Sequence, residues 1–381
     1  MPTIPVMRPT IGEEEAAAAA AAIASGWVAQ GPRVRDLEEA FARRVGGADA
    51  IAVSSGTAAL HLALLLAGVG PGDDVVVPSL SFIATANAVR YTGATPVFAD
   101  VDAATQNVTP ETVGERLTGR TKAVVVVHQA GVPADLGPIH ALLDPLGVAV
   151  VEDAACAAGS TYRGEQIGAH SPAVTFSFHP RKLLTTGEGG MVVVADPDDA
   201  VRGRRLREHG MSVAAADRAA ADRVIVESYL ETGFNYRMTD IQAAVGLVQL
   251  GRLDGIVERR RARAGRYRRL LADVPGLRTI ADPPHGTTNY QSFWAVLPED
   301  CPATPAEVLE RLLAEGISGR RGIMAAHLEP AYAGHPHGQL PVTELLARRS
   351  LILPLHDELD DAGQDRVVAA LQAAIAVEAL H

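Results

Sequence analysis

Between residues 50 and 200, short continuous apolar runs alternate with stretches of helical periodicity. AIAV (50–53) precedes a helix predicted to begin near Thr57, and DVVVP (74–78) precedes one predicted to begin near Phe82. TPVFADVD (95–102), KAVVVVH (122–128) and VAVVED (148–153) follow, each ending in polar residues. AVTFSF (173–178) and GMVVVAD (190–196) lie close together, with no full helix between them. Runs that are apolar at every position need burial on both faces. The pattern therefore predicts an α/β fold, a large domain whose mostly parallel sheet is covered by helices on both faces. In such sheets the polar residues just past strand C-terminal ends tend to line the site. Here they are Ser54, Ser55, Ser79, His128, Asp153 and Ser177.

Residues 238 to about 275 read as one or two long helices. After Pro283-Pro284 the pattern changes to a strand, SFWAVLP (292–298), and a helix, PAEVLERLLAEG, ending at Gly316. A last helix is expected from about Asp361 to Ala379. This second unit is a smaller C-terminal α+β domain. The expected division is 1–250 and 251–381, the linking helix counted with the second. The alanine run Ala16–Ala22 is far too short to span a membrane and reads as a helix. Thr10 and Glu13 have capping-box spacing, and Glu13-Glu14-Glu15 put negative charge at its N-terminal end. HLEPAYAGHPHGQLP (327–341) reads as a long loop, and His335 and His337 alone do not make a metal site.

Composition narrows the partners. The net charge of −11 implies no nucleic-acid surface. The one basic cluster, GRLDGIVERRRARAGRYRRL, has helical spacing and reads as a solvated helix face. Cys156 and Cys301 stand far apart and in no metal spacing. Two cysteines, with no basic-then-apolar pattern of a signal peptide at the N-terminus, lead us to expect a cytoplasmic protein without a membrane partner.

The chemistry-bearing residues follow. Neither GxGxxG after a strand nor GxxxxGK[ST] occurs. VSSGTAAL instead puts Ser54-Ser55-Gly56-Thr57 between a strand end and a helix start, where free N–H groups and the helix dipole favour an anion. An ordinary N-cap would use the same residues. VAVVEDAACAAGS ends a buried strand in Glu152-Asp153, and a carboxylate there costs several kcal/mol unless paired. Its partner is either a structural cation or a protonated heterocyclic nitrogen. Lys182 follows in a loop of small residues, SFHPRKLLTTGEGG. An anion cradle, a carboxylate for a pyridinium nitrogen and a lysine able to condense with an aldehyde are what pyridoxal 5′-phosphate (PLP) requires. Phe82 in PSLSFIATAN offers an aromatic face for the ring.

These segments, with SGWVAQGPRV, HQAGVPADL, GFNYRMTDIQAAVGLVQL and the late HLEPAY, occur in an order that resembles the PLP-dependent sugar aminotransferases of the DegT/StrS family (fold type I). The resemblance covers nearly the whole chain. It implies that Lys182 attaches the cofactor, Asp153 pairs with the ring nitrogen and Phe82 stacks on the ring. It also implies that Ser55, Gly56, Thr57 and Ser177 hold the phosphate, and that Asn235 enters the site of a neighbouring subunit in a homodimer with shared sites. Trp27, His128, His179 and His327 are the implied substrate contacts. Cys156 stands where many relatives carry His or Gln, and a thiol is a weaker hydrogen-bond partner. The implied reaction moves an amino group from an amino acid, glutamate in the family, to a nucleotide-linked keto-sugar. A keto-cyclitol acceptor, a sugar dehydratase and a non-enzymatic sensor of the same fold are the alternatives. Dehydratase relatives replace the lysine that this chain retains.

Overall fold

The computed structural model describes residues 3–214, 218 and 221–376. In chain order the strands are β1 (Asp49–Val53), β2 (Asp74–Pro78), β3 (Thr95–Ala99), β4 (Thr121–Val127), β5 (Ala149–Asp153), β6 (Thr161–Tyr162) and β7 (Glu165–Gln166). β8 (Ala173–Ser177), β9 (Gly190–Val194), β10 (Arg278–Thr279), β11 (Gly286–Thr287), β12 (Phe293–Val296), β13 (Arg320–Arg321) and β14 (Ser350–Leu353) follow. Seven of them form one sheet in the order β1-β9-β8-β5-β4-β2-β3. The pairs from β8 through β5, β4 and β2 to β3 are parallel. β9 runs antiparallel to both β8 and β1.

Alternation along each strand explains the unbroken apolar runs. On β4, Val124 and Val126 enter one apolar cluster, while Ala123, Val125 and Val127 enter the cluster on the other face. Helices cover both faces, so every position of β4 from Ala123 onward is buried. Because β1 and β8 are both antiparallel to β9, they share a direction, and the register lines up Val53, Gly190 and Ser177 at one sheet edge. Asp153 at the end of β5 opens onto the same edge. The topology thus gathers the residues that follow β1, β2, β4, β5 and β8 into one cleft.

The segment 238–275 contains a single helix, Asp240–Leu270, capped by Thr239 through a reciprocal box with Gln242. It runs without a break through position 250, the expected division. Beyond it, β10, β12, β14 and β13 form a second, four-stranded sheet. The helices Pro305–Ala314 and Asp361–Ala376 pack on this sheet around a third apolar cluster. The expected end of the last helix at Ala379 lies outside the described residues. Among the described residues, no helix is long and apolar enough to cross a membrane.

Two local expectations are corrected. The first helix spans Glu13–Ala24, and its N-cap is Gly12 rather than Thr10. Glu15, not Glu13, turns back to accept the Gly12 N–H at 2.8 Å, and also accepts from Gln249 and Arg252 at 2.8 and 2.7 Å. Burial alone would raise the Glu15 carboxyl, but these hydrogen bonds and the Arg252 charge bring its pKa below the usual carboxylate value. The basic cluster is not a merely solvated face either. Arg260 is fully enclosed and donates to the carbonyls of Tyr290 (2.9 Å), Gln291 (2.8 Å) and Leu355 (2.9 Å). Arg259 pairs with Asp357 at 2.6 Å, Arg261 with Asp282 at 2.7 Å and Arg266 with Asp365 at 2.8 Å. The cluster therefore ties the long helix to the C-terminal part of the chain.

This predicts unequal costs along one helix. Arg260→Met leaves three buried carbonyls without donors and should destabilise the fold by about 3 kcal/mol or more. Arg266→Met, whose partners are exposed, should cost about 1 kcal/mol or less. Chemical denaturation of the two variants checks this. Equal losses would show that Arg260 is not the main tie.

Candidate active site

The cleft begins at the head of the helix Gly56–Leu66. The Ser55 side chain accepts from the Ala58 N–H at 3.1 Å, so its hydroxyl is the N-cap. The N–H groups of Gly56 and Thr57 precede the first helical hydrogen bond, from Ala59 N–H to the Ser55 carbonyl, and have no acceptor among the described residues. Gly56 is required by close approach, since a Cβ there would lie 2.7 Å from the Ser177 Cβ. Gly190 is required in the same way, because its Cβ would lie 2.5 Å from the Ser55 carbonyl oxygen. Together these glycines bring the helix head, the end of β8 and the start of β9 into contact. The result is an anion seat of two N–H groups flanked by the hydroxyls of Thr57 and Ser177.

The Glu152-Asp153 pair divides across the sheet, as consecutive strand residues must. Asp153 lines the cleft. Its Oδ2 accepts from Thr85 Oγ1 at 2.9 Å and its Oδ1 from the Ala155 N–H at 3.1 Å. Thr85 is in turn bonded to Ser81 Oγ at 2.8 Å. Glu152 faces the other way, 2.8 Å from His128 Nε2, with both side chains fully buried. The His128 Nδ1 accepts from the Ala134 N–H at 3.0 Å, so Nε2 carries the proton that Glu152 receives. The structural partner weighed for this pair of carboxylates thus exists for Glu152, and Asp153 remains open to the cleft.

Lys182 sits between β8 and β9, and its Nζ lies 3.1 Å from Cys156 Sγ. Two side chains unnoticed in the sequence fix this contact. Gln291 Nε2 donates to the Arg181 carbonyl at 2.5 Å, and Gln291 Oε1 accepts from the Leu183 N–H at 3.2 Å, which grips the backbone on either side of Lys182. Asn289 Nδ2 donates to the carbonyls of Cys156 and Ala158 at 2.9 and 2.8 Å, which holds the Cys156 turn. Between them, buried Tyr290 adopts φ +50°, a left-handed conformation that a bulky residue keeps only when its surroundings impose it. Arg260 holds the carbonyls of both Tyr290 and Gln291. The available signal was a run of polar residues, TTNYQS, directly before a fully buried strand. Thr85, which orients Asp153, gave no signal of its own.

The cleft has a volume of about 380 Å³. Ser55, Gly56, Thr57, Phe82, Asp153, Cys156, Ser177, His179 and Lys182 all line it. Phe82 projects into it and is 59% exposed. His179 is 3.9 Å from Glu188; its partial burial lowers its pKa, against the pull of that carboxylate. Four expected site residues lie elsewhere. His128 is consumed by Glu152 on the far side of β5. His327 is buried against Ser79, whose Oγ lies 2.7 Å from its Nδ1. Trp27 lies on the exposed turn between the first two helices, and Asn235 is exposed outside its own chain's cleft. The residues present fit PLP on their own chemistry: an anion seat, an open carboxylate and a lysine whose amine, among the described residues, is bonded to a thiol alone.

Comparison with known proteins agrees with this geometry. Residues 9–372 match the model of the DegT/DnrJ/EryC1/StrS aminotransferase family. The chain is similar to the aminotransferase TlmJ from Streptoalloteichus hindustanus, at 39% identity and a TM-score of 0.90 over 98% of this chain and 99% of that one. It is also similar to DesI, solved in the presence of its TDP-sugar product, at 34% identity and a TM-score of 0.89 over 98% and 93%. A third similar structure is the PLP form of Spr1654 from Streptococcus pneumoniae, at 26% identity and a TM-score of 0.90 over 98% and 99%. With matches of this extent, the chain belongs to the DegT/DnrJ/EryC1/StrS aminotransferase family and is a PLP-dependent enzyme of fold type I.

Proposed function

We propose that this enzyme transfers the amino group of an amino acid, L-glutamate, to the ketone of a nucleotide-activated keto-sugar. The observation that carries the reading is one cleft holding the Lys182 amine, the open Asp153 carboxylate and the free helix head at Gly56. In it, Lys182 attaches the cofactor and afterwards moves the α-proton of the donor as a general acid and base. Asp153, oriented by Thr85 and the Ala155 N–H, holds the proton of the ring nitrogen. The N–H groups of Gly56 and Thr57, with Ser177, hold the phosphate, and Phe82 covers one ring face. When bound, PLP supplies an electron sink for negative charge at the donor's α-carbon. The TDP-sugar product of DesI supports a nucleotide sugar as acceptor here.

The site is shared between two subunits in this reading. Asn235 lies outside its own cleft, and the segment leading to it carries Val224 and Val226, 92% and 87% exposed. Apolar side chains so displayed suit burial against a second copy of the chain. The two free cysteines suit a cytoplasmic enzyme.

Borohydride reduction of the PLP-loaded enzyme, followed by peptide mapping, should place the cofactor on Lys182. Lys182→Ala should lose transamination by several powers of ten while still retaining pyridoxamine phosphate. A label on Lys122, the other lysine of the chain, would end the assignment.

Sharing is tested by mixing. Lys182→Ala and Asn235→Ala are each inactive or weak alone, for loss of the amine and of a phosphate hydrogen bond. After subunit exchange about half the dimers are mixed, each with one intact site, so about a quarter of native sites should return. No recovery, with mixed dimers confirmed by mass, would reject sharing and leave Lys182 in place.

A further inference from the structure

Cys156 is bonded to the one amine that the chemistry needs. Its Sγ lies 3.1 Å from Lys182 Nζ, and neither cysteine of the chain is in a disulfide. The fold imposes this contact from both sides. The turn that carries Cys156 is closed by the Ala157 N–H on the Ala154 carbonyl at 2.8 Å and held by Asn289 Nδ2 on the Cys156 carbonyl at 2.9 Å. The Lys182 N–H donates to the His179 carbonyl at 2.8 Å, and Gln291 holds the residues on either side. The two holders are themselves joined, since the Gln291 N–H donates to Asn289 Oδ1 at 2.8 Å. One buried turn thus sets the distance between sulfur and nitrogen.

Both side chains are partly exposed and line the open cleft, so a small solute reaches them. The charges beside the thiol are Lys182 itself and Arg320. The nearby carboxylate, Asp153, has its two oxygens turned to Thr85 and the Ala155 N–H. Partly exposed cysteines among cations are the ones that peroxides oxidise. Cys301 is the contrast. It does not line the cleft, and its Sγ donates to the Ala303 carbonyl at 3.4 Å beside the third apolar cluster. No second thiol therefore stands in the cleft to resolve an oxidised Cys156, and the nucleophile in contact with it is the Lys182 amine.

We propose that Cys156 and Lys182 form a reversible oxidative modification site: a hydroperoxide converts the thiol to a sulfenic acid, and Lys182 then closes an S–N bond whenever the cofactor is not attached to it. In the first step the sulfur takes the terminal oxygen of the peroxide and the O–O bond breaks. The thiol proton leaves with the departing oxygen as water or an alcohol, so sulfur is oxidised and the peroxide reduced. In the second step the neutral amine attacks the sulfur, the S–O bond breaks, and hydroxide leaves with an amine proton as water. No further oxidant is needed. The 3.1 Å separation falls within the span of about 3–3.5 Å at which positioned atoms react. Two equivalents of a thiol reverse the link, breaking the S–N bond, restoring both side chains with their hydrogens and leaving the reductant as its disulfide. Without the amine, a sulfenic acid proceeds to a sulfinic acid that thiols do not recover. The link thus spares the sulfur and holds Lys182 out of catalysis until it is reduced. Protection by attached cofactor rests on the reading of Lys182 as the attachment point; the link itself does not.

The test treats three forms of the whole enzyme with hydrogen peroxide: cofactor-free, loaded with pyridoxamine phosphate, and loaded with PLP. Peptides are then mapped by mass without reductant. The chain has two lysines and two cysteines, so any link is assigned without ambiguity. The first two forms should yield the Cys156 and Lys182 peptides joined, lighter than their sum by a pair of hydrogens. The treated cofactor-free enzyme should lose nearly all PLP uptake and regain it with dithiothreitol. In Cys156→Ser, peroxide should leave PLP uptake where it was before treatment. Lys182→Ala, read by mass alone, should carry Cys156 on to the sulfinic acid, beyond recovery by dithiothreitol. Cofactor-free wild type with its Lys182 peptide unlinked, and Cys156 either unchanged or sulfinic, would overturn the proposal. Equal linking in the PLP-loaded form would overturn the protection, and borohydride labelling would then decide separately whether the cofactor attaches at Lys182.

Discussion

The site depends on keeping a carboxylate and an amine in one cleft without letting them neutralise each other. Asp153 and Lys182 both line it, yet no ion pair joins them. Direct pairing would be favourable in a partly enclosed site, where charges attract more strongly than in water. The fold prevents it from both ends. Thr85 and the Ala155 N–H direct the two Asp153 oxygens, and Gln291 grips the backbone on either side of Lys182. Both groups thus stay available, the carboxylate for a cation and the amine for covalent attachment.

That separation reaches far into the chain. Gln291 is held by Arg260, which the long helix delivers from its buried face. The same arginine fixes Leu355, so the second sheet and the Lys182 loop share one anchor. A tie used in this way links the stability of the C-terminal part to the geometry of the amine. Sub-ångström errors in placing such a group weaken catalysis, which gives physical reason for burying a guanidinium among three carbonyls.

Much of this was legible in the sequence because it is written in local pattern. β4 and β5 are apolar at successive positions since helices cover both faces, and no tertiary information is needed to see that. Lys182, Asp153 and Gly56 stood out because each breaks an apolar or helical pattern in its own neighbourhood. Thr85, Asn289 and Gln291 did not, because their roles arise only from contacts across the fold. His128 misled for the same reason. It follows a strand end that should face the cleft, but the backbone turns it towards Glu152, and the hydrogen bond from Ala134 locks it there. Arg260 was hidden among arginines that are themselves partly exposed, where helical spacing alone does not tell the enclosed arginine from its neighbours.

The most direct measurement of the central claim is exchange of the α-hydrogen of L-glutamate with solvent deuterium by PLP-loaded Asp153→Asn. It reads proton movement by Lys182 without requiring any acceptor sugar. Losing a buried charge pair costs about 3–5 kcal/mol, and each 1.4 kcal/mol is about tenfold in rate, so exchange should slow by two to four powers of ten with the cofactor still on Lys182. Exchange at a near wild-type rate would contradict the account, because the kept-apart carboxylate would then have no part in the chemistry.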